Sequence, residues 1–436
     1  MTGTVKNLFD FIESSPTAFH AVAKASEILS LAGYTHIYEN DDWNILPCGK
    51  YFVTKNSSSI IAFEIPESGS TNAGFMICAS HSDSPTFKFK DSFELETFGE
   101  YLRANTERYG GAILSSWFDR PLSTAGRAVY RSEDGIKYAL FNIDKDLTVI
   151  PSVAIHMNRS VNEGFKINAQ VDTLPLLGAI SSKGKLKEAI ADSISVNAED
   201  ILSLDAFLYC REKCTTFGLS DEYISAPRID NLQCAFSSVA AITESAKSDA
   251  VKVLAIFDNE ETGSDSKQGA ASTFLYDTLM RIERALGGDD VSLRRTFARS
   301  FMISADNGHA KHPNHPEYSD AVNTPVLNKG VVVKFNASQK YATDAISAAL
   351  IYELCRKADV PYQTFANRSD LPGGSTLGTI SDTKVSIITA DIGLPQLAMH
   401  SAYETAGAED TAHMVSLMKK FYESTISPTE NGFIIK

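Results

Sequence analysis

The sequence predicts an α/β protein: a largely parallel or mixed central sheet flanked by helices, with a β-rich segment inserted into it. Short apolar runs bounded by turn residues alternate with helix-length stretches on both sides of the middle of the chain. Across residues 90–222 the texture changes to short, partly exposed strands separated by turn signals. Length agrees, because 436 residues are too many for one small core. A discontinuous body over 1–89 and 223–436 is therefore expected, with the insert at 90–222.

The elements follow in order. Ser15-Pro16 opens a helix that Gly33 closes, with Phe19, Val22, Ala23 and Leu29 on one face. Runs at 60–65 and 75–79 are short, apolar and flanked by turn residues, as buried parallel strands are. In the insert, 101–103 and 128–131 read as strands, and Asp134-Gly135 between 129–133 and 136–141 marks a hairpin. Beyond it, helices are expected over 231–245, 268–286, 343–357 and 411–425, and strands over 251–257, 301–305 and 385–389.

Composition narrows the partners. With 40 basic and 54 acidic residues the formal charge is −14, which argues against a nucleic-acid partner. No apolar run reaches the length of a membrane span, and residues 1–15 lack the pattern of a signal peptide. Of six cysteines only Cys210 and Cys214 lie close together, so reduced, mostly buried thiols and a cytoplasmic location are expected.

The chemistry lies at the ends of the strands. The run 75–79 leads into Ser80-His81-Ser82-Asp83, 251–257 into Asp258-Asn259-Glu260-Glu261, and 301–305 into Asp306-Asn307-Gly308-His309. Open α/β sheets bind ligands at the C-terminal ends of their strands, and His and carboxylate there suit a metal site. Each motif also has a plain structural reading. His81 and Asp83 can cap a turn, and Asp230, before a helix, can be an N-cap. Glu260-Glu261 can be a solvated loop, His400 a hydrogen-bonded core histidine, and His309, His312 and His315 polar residues of an Asn/Pro-rich loop.

Taken together, the motifs resemble one family. His81-Ser82-Asp83-Ser84-Pro85, Arg228-Ile229-Asp230-Asn231, Asp258-Asn259-Glu260-Glu261-Thr262-Gly263-Ser264, Ala305-Asp306 and Gln396-Leu397-Ala398-Met399-His400-Ser401 stand in the order of the M18 aminopeptidases, the aspartyl aminopeptidase family. Phe11-Ile12-Glu13-Ser14-Ser15-Pro16-Thr17 is similar too, and the resemblance spans the chain.

That resemblance implies a zinc-peptidase-like fold and removal of residues from the free N-terminus of peptides. It implies two divalent ions per chain, most often zinc, with cobalt or manganese compatible. Asp230 would bridge them, with His81 and Glu261 completing one site and Asp306 and His400 the other. Glu260 would be the general base and Asp83 would orient His81. Three ligand carboxylates leave positive charge over from two divalent ions, which acidifies a bound water.

The insert would serve dimerisation and as a lid, within a dodecamer built from dimers. Pro151-Ser152-Val153-Ala154-Ile155-His156 resembles the family segment whose histidine enters a neighbouring subunit's site, which makes His156 catalytic in trans. Gly373 and Gly374, in Gly373-Gly374-Ser375-Thr376, and Lys340, in Gln339-Lys340-Tyr341, would contact substrate. Unaided, Pro372-Gly373-Gly374 reads as a tight turn. Ser338 stands where some relatives carry a lysine, so both acidic and neutral first residues stay open.

Two other readings compete. A related di-metal carboxypeptidase or deacylase would not need a free amine, and a non-catalytic assembly scaffold would need no metal.

Overall fold

The structure, a computed structural model, describes residues 2–371 and 373–436; Pro372, in the expected turn before Gly373, lies outside them. Nine strands form the central sheet, in the order Thr35–His36, Lys50–Lys55, Ser59–Glu64, Val251–Phe257, Phe75–His81, Phe301–Ala305, Ile388–Gly393, Val331–Phe335 and Tyr362–Ala366. The four from Val251–Phe257 to Ile388–Gly393 run parallel. Ser59–Glu64 runs antiparallel to both its neighbours, and Val331–Phe335 to Ile388–Gly393, so the sheet is mixed.

The run expected at 60–65 is buried but not parallel. Only residues 56–58 separate it from Lys50–Lys55, and so short a link permits only an antiparallel pair. In Phe75–His81, Met76 and Cys78 join one core, while Phe75, Ile77 and Ala79 join the core on the opposite face. Helices cover both faces, which is why these strands are buried throughout and mostly apolar. Gly3–Glu13, Ala18–Leu31, Ile229–Glu244, Ala345–Ala358 and Asp410–Tyr422 pack on one side, and Phe274–Ala285, Asp290–Phe297 and Leu377–Val385 on the other.

A second sheet of six strands is antiparallel throughout, in the order Gly135–Asn142, Leu122–Ser132, Ile201–Cys210, Thr86–Thr97, Tyr101–Tyr109 and Leu176–Ala179. It thus runs from Thr86 to Cys210. Thr215–Phe217 and Tyr223–Ala226 instead pair into a five-stranded sheet with Glu404–Gly407, Pro395–Leu397 and Gly308–His309, beside the central sheet's strand ends. In the hairpin, Ser132 pairs with Gly135, so Glu133 and Asp134 form the turn and Gly135 opens the return strand.

Several local expectations shift. Ala25, not Ala23, is buried on Ala18–Leu31. The helix expected from 268 begins at Phe274, because residues 266–272 form turns anchored by the Ser59 hydroxyl on the Gln268 carbonyl. Val385 ends a helix rather than opening a strand, and the strand starts at Ile388 after left-handed Ser386. Gly3–Glu13, not anticipated, is capped by Thr2 and buries Leu8, Phe11 and Ile12 at helical spacing. Among the described residues, no helix is long and apolar enough to cross a membrane.

Candidate metal centre

Strand register gathers the site. Phe257 lies level with His81, and Ser304 with Ala79, so the residues after all three strands emerge at one edge of the sheet. His81 ends its strand, Asp306 follows Ala305, and Glu260-Glu261 follow a turn through left-handed Asn259. Two other segments face this edge. Arg228 is left-handed (φ 59) and Asp230 extended (φ −80, ψ 109), so Asp230 departs from the course of its helix. His400 sits in a turn with φ 68, closed by the Ser401 N–H on the Ala398 carbonyl at 2.9 Å.

Two groups of donor atoms share one carboxylate. His81 Nε2 lies 3.6 Å from Asp230 Oδ1 and 3.4 Å from Asp306 Oδ1. His400 Nε2 lies 3.5 Å from Asp230 Oδ2 and 3.3 Å from Glu261 Oε2. Asp230 therefore stands between these two groups. His81 lies with Asp306 in one and Glu261 with His400 in the other, while a third group joins His81 to Glu260 and Glu261, so the expected pairing of His81 with Glu261 is also within ligand reach. Adjacent parallel strands in register put Asp306 level with His81, whereas the turn after Phe257 carries Glu261 on toward His400.

Hydrogen bonds at the far nitrogens orient both rings. His81 Nδ1 donates to the Asp83 carbonyl at 3.1 Å and lies 3.3 Å from Asp83 Oδ1; His400 Nδ1 donates to the Gly111 carbonyl at 3.1 Å. These partners are acceptors only, so Nδ1 carries the proton and Nε2 offers its lone pair to the centre. The Asp83 carboxylate also accepts the N–H groups of Glu260 and Glu261, both at 3.1 Å, and the Tyr109 hydroxyl at 2.7 Å. Glu404 accepts the Asp230 N–H at 3.0 Å and the His400 N–H at 2.7 Å.

The electrostatics call for added positive charge. Burial pushes Glu260 up to about 8, opposed by His81 and aided by Asp306, Asp83 and Asp230. Burial and then Asp230 raise Glu261 well above the carboxylate range. Burial alone would lower the pKa of His81, but its bonds to Asp306 and Asp83 raise it well above the usual value. Asp230 Oδ1, fully buried, has no hydrogen-bond partner. An unpaired oxygen amid crowded carboxylates and two oriented imidazoles fits divalent cations.

The remaining expectations divide. Glu260 lines the same solvent-open cleft, of about 850 Å³, and so do Gly374 and His309. Gly373 sits against Asn367 instead. Lys340 is exposed and outside the cleft lining, which takes its neighbour Tyr341. His156 lies in an exposed turn of the insert, not on a strand, and does not line this cleft within the chain. His312 and His315 are exposed loop residues. All six cysteines are free, and four of them are buried.

Sequence reasoning missed Lys334, Glu404 and Tyr109. The Lys334 ammonium is buried in the cleft wall, 3.6 Å from Asp306 Oδ2, and donates to the Asn307 carbonyl at 2.8 Å. A lysine inside the apolar run Val331-Val332-Val333-Lys334-Phe335 was its signal. Glu404 and Tyr109 had no local signal.

The chain is similar to known proteins over nearly its whole length. Residues 11–422 match the family model described as Aminopeptidase I zinc metalloprotease (M18). Probable M18 family aminopeptidase 2 of Clostridium novyi is 44% identical over 421 residues, covering 95% of this chain and 97% of that protein. The namesake in Clostridium acetobutylicum is 45% identical, covering 96% and 98%. Among solved structures, the Ape4 and Nbr1 complex aligns with a TM-score of 0.94 at 36% identity, over 96% of this chain and 85% of that one. The "S. cerevesiae mApe1 dodecamer" aligns with a TM-score of 0.86 at 26% identity, over 96% of each chain. The chain is thus a metal-dependent aminopeptidase, a hydrolase of the zinc metalloprotease class. The chain belongs to the M18 family.

Proposed function

We propose that this aminopeptidase works with two divalent ions per chain, sharing Asp230, one held also by His81 and Asp306 and the other by Glu261 and His400. The observation that carries this reading is that the two oxygens of Asp230 face different histidines, each with a further carboxylate beside it. When bound, the ions would supply Lewis-acid polarisation of the scissile carbonyl and would acidify water; zinc fits these donors, and cobalt or manganese is compatible.

The chain's own residues do the rest. Glu260 accepts the proton of the attacking water and delivers it to the leaving amine. Its backbone is held by Asp83, which also orients His81. Gly374 and Tyr341 border the substrate cleft, and its cationic wall is Lys334 rather than Lys340. That ammonium is already engaged by Asp306 and the Asn307 carbonyl, which favours acceptance of both acidic and neutral first residues over strict acidic selectivity.

The β-rich insert serves as dimerisation and lid unit in a dodecamer built from dimers. Val153, Ile155 and Met157, beside His156, are 52%, 48% and 82% exposed, an apolar loop tip suited to a neighbouring subunit. His156 would there stabilise the oxyanion in the neighbour's site. Six free thiols suit a reducing compartment, the cytoplasm.

The test pairs elemental analysis with substrate choice. Two ions per chain are expected, with turnover lost on chelation, restored by a divalent ion and strictly dependent on a free N-terminal amine. One ion per chain at full turnover, or cleavage of an N-acetylated peptide, would overturn the reading.

A further inference from the structure

We infer that Tyr109, the last residue of the insert's Tyr101–Tyr109 strand, is a positioning residue for the catalytic centre and acts through Asp83. The inference rests on the proposed roles of Glu260 and His81 and adds a residue that lies outside the central sheet.

Four donors converge on Asp83: the Tyr109 hydroxyl at 2.7 Å, the Glu260 and Glu261 N–H groups at 3.1 Å, and His81 Nδ1 at 3.3 Å. Three of them belong to residues of the proposed centre; the fourth and shortest comes from the insert. The Tyr109 hydroxyl in turn accepts Asn259 Nδ2 at 2.9 Å, and Asn259 begins the turn that delivers Glu260. One hydroxyl therefore braces that turn twice, through its neighbour's side chain and through the carboxylate that holds its backbone.

The chain beyond Tyr109 continues across the site. Gly110 is left-handed (φ +71), and a Cβ there would stand 3.1 Å from Glu261 Cβ, so only glycine lets the backbone pass this close. Gly111 then supplies the carbonyl that accepts His400 Nδ1, and the Ile113 N–H bonds the His400 carbonyl at 2.9 Å. The stretch 109–113 thus supports both histidines, and Tyr109 is its only side chain hydrogen-bonded to Asp83.

The ring itself is anchored apart from the hydroxyl. It packs edge-on against Phe207 with centroids 5.5 Å apart, so Tyr109→Phe removes the hydroxyl and keeps the packing. The buried Asp83 carboxylate then loses one donor and the half-buried Asn259 loses an acceptor. Loss of an outer partner of a metal site typically costs about 10-fold to 100-fold in activity.

The experiment compares wild type, Tyr109→Phe, Asp83→Ala and the double variant. Tyr109→Phe is expected to lower kcat about 10-fold with KM within about 2-fold. In metal-free protein, hydrogen exchange of the Glu260 and Glu261 amides is expected to quicken about 10-fold. In the Asp83→Ala background, Tyr109→Phe should add clearly less than this to that exchange, because only its bond from Asn259 is left to lose. Wild-type kcat and exchange in Tyr109→Phe would overturn the inference, as would a full multiplicative effect in the double variant. Glu260→Gln is assayed in parallel: wild-type turnover there sinks the general-base reading, while coupling of Tyr109 to Asp83 is still read from exchange.

Discussion

The Glu404 carboxylate accepts the backbone N–H of Asp230 at 3.0 Å, although the two residues lie 174 positions apart. Its other oxygen accepts the His400 N–H at 2.7 Å, so one buried side chain sets the backbone of two proposed ligands. A glutamine at 404 would turn a donor against one of these N–H groups. Glu404→Gln is therefore expected to lower metal occupancy and turnover about 10-fold to 100-fold without unfolding the chain. Elemental analysis beside kinetics checks this, and full occupancy at wild-type kcat would show that Glu404 is dispensable.

The adjacent glutamates should separate cleanly. Glu260→Gln is expected to keep both ions and lose about 100-fold or more in kcat, since an amide cannot take the proton. Glu261→Gln is expected to weaken retention of one ion, the one shared with His400. Metal counts and kcat on both variants decide; the opposite pattern means that the roles are exchanged.

Mixed assemblies test His156. His156→Ala and Glu260→Gln are each expected to be nearly inactive alone. On co-expression, a His156→Ala subunit keeps its own Glu260 and borrows the imidazole of a Glu260→Gln neighbour, so activity returns in proportion to mixed interfaces. Confirmed mixing with no recovered activity would remove His156 from the trans role.

His20 links stability to pH. Burial, with the positive charge of Arg228 adding to it, lowers its pKa from 6.5 to about 4, and the Thr17 hydroxyl lies 2.8 Å from Nδ1. The unfolded chain takes up a proton near 6.5 that the folded chain refuses until about 4, so the native state loses stability as pH falls through that window. At pH 5 the loss is at most about 2 kcal/mol. His20→Asn keeps an acceptor toward Thr17 but cannot be protonated, and is expected to show a smaller drop in unfolding free energy between pH 7.5 and 5. Denaturant unfolding at the two pH values measures it; equal drops in both proteins would assign the acid sensitivity elsewhere.

Much of the centre was legible because its residues terminate strands. His81, Glu260, Glu261 and Asp306 each follow a continuous apolar run, and such runs are visible locally because both faces of the sheet are covered. The sequence by itself therefore determined the α/β class and pointed to a β-rich middle segment and to candidate donors at the strand ends; the family resemblance added Asp230, His400 and their proposed roles. It did not determine which donor faces which. That followed from parallel register, which sets Asp306 level with His81, and from the turn that sends Glu261 toward His400. Lys334, Glu404 and Tyr109 became site residues only through tertiary structure. Each reaches the centre from an element remote in sequence, and no local pattern encodes a contact that exists only once the sheet, the insert and the 398–404 segment have packed together.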